Sequence, residues 1–324
     1  MQPANDTAGS RLQLGTQTIQ RVFWIVLGLL IAVLVSFAGY YIWDRYIHAE
    51  GQAAVESEIA SMEQAIHKSP QDPELRVVLA ESYLSVGENA RALEQAEQVL
   101  GQYPEDVGAL LIAGIAHVRL EEPEAAIAPL QTFVMLRKDG PMARSDQALE
   151  AAYYFLGQSY LQLDRPAEAI PVLEAALEIS AVDADALYQL GLAYNANGQP
   201  ALAVQSYQDA VRLVPDYDRV YEAMIVSYSA LDLPDYVAYA RGMLAFSRRD
   251  YSAAVSYLEQ ATEALPNFAP AFLGLGLTHE SMENLQPALL AIERAQELDP
   301  GDFATRQALG RVQAAQEAAQ EAAH

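Results

Sequence analysis

Apolar and small side chains recur along most of this chain at the three- and four-residue spacing of an amphipathic helix. The pattern is clearest over residues 190–215, where the spaced positions are Leu190, Gly191, Tyr194, Ala203, Tyr207, Ala210 and Pro215. Gly191 and Ala203 are small enough to let two antiparallel helices approach closely. Gly198 lies between them and would supply the left-handed residue that ends the first helix. This stretch therefore predicts a hairpin of two helices.

The spacing resembles the 34-residue tetratricopeptide repeat, in which Leu-Gly-x-x-Tyr is followed by Ala-x-x-x-Phe and then by Pro. Tyr207 takes the place of the phenylalanine. The resemblance implies an all-α fold in which hairpins stack into a solenoid. Aligned on their small residues, four units are predicted over residues 73–217, with an insertion at 141–149, and two more over residues 235–302.

The segments that flank these units are expected to be helical as well. Residues 218–234 carry the pattern of one helix, which would be inserted between paired units and would bend the stack near Pro234. Residues 47–70 predict a half-repeat, or else a plain juxtamembrane helix. Residues 303–324 predict a final helix that caps the last unit, because a repeat stack needs a polar outer face at its end.

The N-terminal region has a different composition. Residues 1–21 are polar and predict a flexible tail, whereas residues 22–43 carry no charge and are long enough to cross a bilayer as a transmembrane helix. Aromatic side chains near both ends favour an uncleaved anchor over a signal peptide cleaved at the Ser-Phe-Ala sequence 36–38. Because Arg11 and Arg21 precede the segment, we expect a single-pass cell-membrane protein with its N-terminus inside and an extracytoplasmic repeat domain.

The chain of 324 residues has no cysteine and a formal net charge of −24, from 43 acidic and 19 basic side chains. The charges of the first 50 residues sum to zero, so the negative charge lies on the predicted repeats. Such a surface would repel a phosphate backbone, which argues against a nucleic-acid partner. The lack of cysteine excludes disulfides, thiolate nucleophiles and cysteine-ligated metals.

No pattern of residues indicates catalysis. The sequence contains no phosphate-binding loop, nucleophile elbow, HExxH sequence or dinucleotide-binding glycine pattern. His117 and His279 fall where other units place tyrosine inside the hairpin, so we interpret them as packing residues. The sequence therefore predicts a binding protein without catalytic residues, cofactor or bound metal.

In the family that this chain resembles, the fifth, ninth and twelfth positions of each unit tend to face a concave groove. These positions are mostly apolar or aromatic here, and none is a cation. A tyrosine ring with its hydroxyl suits the recognition of a peptide, although burial between neighbouring helices is the competing interpretation. The predicted partner-binding residues are Leu111, Tyr154, Tyr188, Leu192, Tyr239, Met243, Phe246 and Leu277.

Two basic clusters interrupt the acidic surface. They predict docking points for an acidic partner or for anionic lipid headgroups, with ordinary helix-end charge as the alternative. Their members are Arg137, Lys138 and Arg144 in one cluster, and Arg248 and Arg249 in the other.

The resemblance and the groove together predict a membrane-anchored scaffold or assembly factor that binds polypeptide segments or subunits of a membrane complex. An apolar or basic amphipathic segment would suit such a groove, and capture of a basic partner would weaken with salt. The alternatives are a cytoplasm-facing receptor for basic amphipathic targeting peptides, an ancillary subunit of a larger membrane enzyme complex, and an enzyme whose site the sequence does not reveal.

Overall fold

The computed structural model describes residues 49–322, together with the single positions Trp24 and Ser36. This part of the chain contains 15 α-helices and no strand. The helices are α1 (Ala49–Lys68), α2 (Pro73–Ser85), α3 (Asn89–Leu100), α4 (Val107–Arg119), α5 (Pro123–Arg137), α6 (Gln147–Gln162), α7 (Pro166–Ile179), α8 (Ala184–Ala196), α9 (Pro200–Leu213), α10 (Asp218–Ala230), α11 (Pro234–Ser247), α12 (Tyr251–Ala264), α13 (Ala269–Ser281), α14 (Leu285–Leu298) and α15 (Phe303–Ala322).

The chain divides into two compact units, residues 1–75 and residues 76–324. Within the second unit, each helix from α3 onward packs against the next helix in the sequence. Alternate helices also touch, in the pairs α4–α6, α6–α8, α8–α10, α11–α13 and α13–α15. The all-α solenoid expected from the sequence is thus confirmed for the described residues.

A glycine lets the two helices of a hairpin approach each other closely. A Cβ added to Gly114 would lie 2.4 Å from Cγ of Leu130 on the partner helix, a distance that no real side chain tolerates. The same relationship links a glycine on the first helix with a large apolar or aromatic residue on the second in the pairs Gly114–Leu130, Gly157–Leu173, Gly191–Tyr207, Gly242–Leu258 and Gly276–Ile292. Small and large residues at fixed spacing therefore set the distance between paired helices.

Seven turns between neighbouring helices each contain one residue with positive φ. In the described part of the chain these residues are Gly87, Glu121, Asp164, Gly198, Asp232, Arg249 and Glu283. Successive members are 34 residues apart, except for 43 residues across the insertion before α6 and 17 residues between Asp232 and Arg249. The 17-residue interval is half a repeat.

The half-repeat gives α11 two roles. A turn of the same kind joins α11 to α10 through Asp232 and to α12 through Arg249. Gly242 of α11 faces Leu258 of α12, so α11 is the first helix of the α11–α12 hairpin. Helix α10 therefore stands alone between complete hairpins, in the segment for which the sequence predicts one inserted helix.

No helix in the described part of the chain is long and apolar enough to cross a membrane. The longest of these helices, α1 and α15, have 20 residues each and carry charged side chains, which are costly to transfer into hydrocarbon. The predicted transmembrane helix at 22–43 and the tail at 1–21 lie outside the described residues, apart from Trp24 and Ser36. The expected single-pass location in the cell membrane, with an extracytoplasmic repeat domain, is contradicted by this finding.

Candidate functional site

The predicted partner-binding residues lie on the first helices of the hairpins. Tyr154 on α6 and Tyr188 on α8 are half-buried, so part of each ring remains accessible. Four further residues of this set are half-buried and pack against the hydrophobic core: Leu111, Leu192, Phe246 and Leu277.

Tyr239 and Met243 on α11 belong to the core instead, and each is only 5% exposed. The ring of Tyr239 packs edge-on against Phe268, with 4.9 Å between ring centroids. Burial raises the pKa of the Tyr239 hydroxyl well above its ordinary value, and this hydroxyl is hydrogen-bonded to Tyr221 on α10. The prediction that Tyr239 and Met243 face a partner is therefore wrong. The inserted helix α10 packs against α11 and supplies a neighbour that a regular stack of hairpins would not place there.

Six side chains from α6, α8 and the linker residues before α8 and α10 come together, and Tyr154 and Tyr188 are two of them. Tyr217 donates a hydrogen bond to the Asp185 carboxylate, and its ring centroid lies 5.4 Å from that of Tyr188. The Tyr154 hydroxyl is hydrogen-bonded to the Gln189 side chain. We name this group the tyrosine–carboxylate patch, with the members Glu150, Tyr154, Asp183, Asp185, Tyr188 and Tyr217.

Two carboxyl groups of the patch are hydrogen-bonded to each other. Burial raises the pKa of Glu150 to about 7, and the hydrogen bond to Asp183 and its negative charge contribute further. Asp183 also caps α8, because its Oδ1 accepts from the backbone N–H groups of Asp185 at 2.9 Å and Ala186 at 3.0 Å. In the described part of the chain, no lysine or arginine forms an ion pair with any of the three carboxylates.

The pKa of Tyr154 responds to these charges, whereas the pKa of Tyr188 responds to charges outside the patch. Burial raises the pKa of Tyr154, and the three carboxylates of the patch raise it further, while the hydrogen bond with Gln189 lowers it. Burial also raises the pKa of Tyr188; the positive charge of Arg219 lowers it, and the negative charges of Glu222 and Asp218 raise it. The Tyr154 hydroxyl thus lies in a strongly negative environment.

An open hollow of about 600 Å³ adjoins the patch. Its lining combines two carboxylates and a tyrosine with small and apolar groups, namely Ser180, Val182, Asp183, Ala184, Asp185, Val214 and Tyr217. Val182 is 74% exposed, so the hollow presents apolar surface to solvent beside the negative charge.

Tyr207 on α9 lies against Tyr188, with 6.2 Å between ring centroids. Its side chain is fully buried, and its hydroxyl has no hydrogen-bond partner. Burial raises the pKa of this hydroxyl strongly, and Tyr188 raises it further. At the corresponding position the other four glycine-paired hairpins carry leucine or isoleucine, so this polar atom is particular to the α8–α9 hairpin.

The tetratricopeptide repeat model matches residues 77–141, 146–218 and 239–303, which together exceed half of the chain. The chain belongs to the tetratricopeptide-repeat family. The resemblance drawn from the spacing of small residues is thereby confirmed at the level of the family. Residues 219–238 are unmatched and include most of α10 and the turn at Asp232, so the half-repeat interrupts the family pattern.

Several solved structures are similar to this tetratricopeptide-repeat protein. A crystal structure of MamA protein is 26% identical, covering 60% of this chain and 92% of that chain with a TM-score of 0.46. MamA from Desulfovibrio magneticus RS-1 is 24% identical, covering 56% and 97% with a TM-score of 0.49. A tetratricopeptide repeat protein from Parabacteroides merdae is 14% identical, covering 85% and 98% with a TM-score of 0.46. The comparison with curated proteins found no match.

Tetratricopeptide-repeat domains bind protein or peptide partners, and proteins built from them are typically non-catalytic scaffolds. The coarse prediction of a protein-interaction scaffold is therefore confirmed through the family. Among residues 49–322, no group of three or more histidine, aspartate or glutamate side chains is placed to hold a metal ion.

The two predicted basic clusters are partly engaged within the repeat protein itself. The Arg137 guanidinium donates two hydrogen bonds, of 2.8 and 2.6 Å, to the carboxylate of Asp146, which also caps α6. Arg248 forms an ion pair with Glu222 of α10. Both arginines hold segments of the chain together, so they are poor candidates for docking. The remaining members are exposed: Lys138, Arg144 and Arg249.

The sequence prediction did not include four members of the patch. Asp183 and Tyr217 directly precede α8 and α10, outside the helix positions expected to face the groove. Glu150 and Asp185 lie in first turns, where acidic residues are ordinarily attributed to the helix dipole. The available signal was the aspartate directly before the predicted start of α8, which is typical of an N-cap.

Proposed function

We propose that this protein is a scaffold or assembly factor that captures a polypeptide segment on the face formed by α6, α8 and α10. The tyrosine–carboxylate patch is the observation that supports this assignment. Its three tyrosines offer large, rigid surfaces that lose little conformational freedom on binding, which is typical of residues that dominate protein interfaces.

The neighbourhood of the patch supplies apolar contact area. Leu192 lies one helical turn beyond Tyr188 on α8, and Leu111 lies on α4, which touches α6. Both leucines are half-buried. A bound segment with spaced apolar side chains could therefore cover leucine and tyrosine surface together, with hydrogen bonds from the phenol groups fixing its register.

The charge of the protein favours partners of opposite sign. The formal net charge of −24 would accelerate the encounter with a basic segment, and added salt would slow that encounter. The apolar contacts would be less sensitive to salt, so dissociation should depend mainly on the tyrosines and leucines.

The experiment is selection of random peptides, displayed on phage, on the intact protein and on a Tyr154→Ala/Tyr188→Ala variant. We expect the intact protein to enrich a family of related peptides that the double variant does not retain. A Tyr103→Ala/Tyr257→Ala variant is the matched control, because these tyrosines are 49% and 36% exposed and lie outside the patch. It should retain the same peptides.

Circular dichroism would establish that all three proteins keep their helix content. Equal enrichment by the two double variants would contradict the proposal, as would the absence of any related peptides from the pool selected on the intact protein.

A further inference from the structure

We propose that the linker between α5 and α6, with the last turn of α5, is a second docking surface that binds an acidic amphipathic segment of a partner polypeptide. The inference goes beyond the proposed function, because it concerns a different set of residues from the tyrosine–carboxylate patch. We name this set the linker surface, with the members Met135, Leu136, Lys138, Met142 and Arg144.

The linker is an insertion whose conformation is fixed by contacts within the chain. The positive-φ residues on either side of it, Glu121 and Asp164, are 43 residues apart, whereas the regular interval is 34 residues. The Arg137 guanidinium at the start of the linker donates two hydrogen bonds to Asp146 at its end, which closes the linker into a loop. Within the loop, Ala143 packs against the hydrophobic core. The neighbouring side chains are therefore presented from an anchored segment.

The linker surface exposes large apolar side chains. Met135, Leu136 and Met142 are 68%, 43% and 68% exposed, and no other stretch of eight residues in the described part of the chain holds three large apolar side chains that are exposed. Met142 belongs to the closed loop that begins at the last turn of α5, where Met135 and Leu136 lie. Exposed apolar side chains at this density mark a surface that a partner covers, and the flexible methionine side chain adapts to the shape of that partner.

The same surface carries two cations that the chain does not neutralise. Lys138 and Arg144 are exposed, and neither forms an ion pair with a carboxylate in the described part of the chain. The nearest acidic residue in the sequence, Asp139, acts on another group. Burial raises the pKa of Tyr153 on α6, and the negative charges of Glu178 and Asp139 raise it further. Lys138 and Arg144 are thus available to carboxylates of a partner.

An acidic amphipathic segment complements both features of the linker surface. Its carboxylates would pair with Lys138 and Arg144, and its apolar side chains would cover the two methionines and the leucine. An anionic membrane fits less well, because a bilayer would approach much of the protein at once, and the formal net charge of −24 would be repelled by it. A single segment contacts only the linker surface, where the exposed cations lie.

The test begins with selection of random peptides, displayed on phage, on the Tyr154→Ala/Tyr188→Ala variant. This variant lacks the two tyrosines of the patch but keeps the linker surface. Peptides that also bind the same variant carrying Lys138→Ser/Arg144→Ser are removed. We expect the remaining peptides to carry aspartate or glutamate at fixed positions, about three or four residues from large apolar side chains.

Fluorescence-polarisation titrations with one selected peptide separate the charged contribution from the apolar one. Lys138→Ser/Arg144→Ser should weaken binding about threefold or more, and Met135→Ser/Met142→Ser should weaken it about tenfold or more. Changing the acidic residues of the peptide to their amides should weaken binding to the unchanged linker surface, but not to Lys138→Ser/Arg144→Ser, because the pairing is already lost there.

Matched controls remove the same kinds of group elsewhere. Lys68→Ser/Arg306→Ser removes two positive charges from exposed positions, and Met282→Ser/Leu290→Ser removes two exposed apolar side chains. Both controls should preserve the affinity for the peptide. Circular dichroism would establish that every variant keeps its helix content.

Three results would overturn the proposal. The first is the absence of linker-dependent peptides, or selected peptides that contain no acidic residues. The second is equal affinity of Lys138→Ser/Arg144→Ser and its control. The third is sedimentation of the protein with phosphatidylglycerol vesicles that depends on Lys138 and Arg144, which would assign the surface to lipid headgroups. Because every protein in the peptide test lacks Tyr154 and Tyr188, these results are independent of the proposed function.

Discussion

Gly191 on α8 and Tyr207 on α9 are in such close contact that a Cβ at Gly191 would lie 2.2 Å from Cε1 of Tyr207. Contact of this kind fixes how near the two helices of a hairpin lie, and it recurs in four other hairpins. Here it also places the ring of Tyr207 against that of Tyr188, with 6.2 Å between ring centroids. The residue that spaces the hairpin thus also buries a hydroxyl that has no hydrogen-bond partner.

Gly191→Ala should destabilise the protein by about 1–3 kcal/mol, because the added methyl group forces Tyr207 or the backbone to move in a packed core. Urea unfolding followed by circular dichroism measures the change. Gly310→Ala is the control, since no atom lies within 4 Å of a Cβ there and the substitution removes a helical glycine. It should stabilise the protein by about 0.5–1 kcal/mol. Equal effects of the two substitutions would show that the close contact does not constrain the hairpin.

Tyr239→Ala should reduce the free energy of unfolding by about 3–5 kcal/mol, the range for removing a large buried aromatic side chain. It would leave a cavity beside Phe268 and deprive Tyr221 of a hydrogen-bond partner. Tyr154→Ala should cost clearly less, because that ring is only half-buried. The measurement is chemical unfolding of both variants under the same conditions. A larger loss of unfolding free energy in Tyr154→Ala than in Tyr239→Ala would show that Tyr154, rather than Tyr239, is the core residue.

The pH dependence of stability should contain a contribution from Glu150. Its pKa is raised from 4.5 to about 7 by burial and by Asp183, so between these values the folded state binds more protons than the unfolded state. The contribution of Glu150 to stability is therefore present at low pH, declines as the pH rises from 4.5 to about 7, and is constant above that. Glu150→Gln should remove this decline.

The comparison is between melting temperatures of the natural protein and of Glu150→Gln across this pH range. The melting temperature of Glu150→Gln should increase relative to that of the natural protein as the pH rises. The melting temperature of Glu259→Gln, at an exposed position, should change in parallel with that of the natural protein. Parallel curves for the natural protein and Glu150→Gln would mean that Glu150 titrates as it does in the unfolded chain.

Deleting residues 218–234 should leave a folded, though less stable, protein. The deletion removes α10 and the turn at Asp232, and it restores a 34-residue interval between the positive-φ residues Gly198 and Arg249. Helix α11 already pairs with α12 as the first helix of a hairpin, so it can follow α9 directly. Thermal unfolding should remain a single cooperative transition. Deleting only residues 218–225 breaks the interval and should abolish that transition. If both deletions behave alike, the half-repeat is not an independent unit.

The candidate site could be predicted from the sequence only in part. The positions of Tyr154 and Tyr188 follow from the repeat spacing, because every regular hairpin presents its fifth residue in the same direction. Tyr239 occupies the same position in its unit but is 5% exposed, because the unpaired helix α10 packs against α11. Position within a repeat predicts exposure only where the neighbouring repeats are regular.

By itself, the sequence determines the helices, their pairing into hairpins and the family of the chain. These features depend on contacts between residues that are close in sequence, such as Gly191 with Tyr207, and each hairpin repeats them. The tertiary structure decided which side chains share the binding face. Glu150, Asp183 and Tyr217 come from successive units, and their mutual distances depend on how one hairpin rests on the next. That stacking also leaves Glu150 partly buried beside another carboxylate and Tyr207 without a hydrogen-bond partner, because burial is a property of the packed array rather than of any one segment.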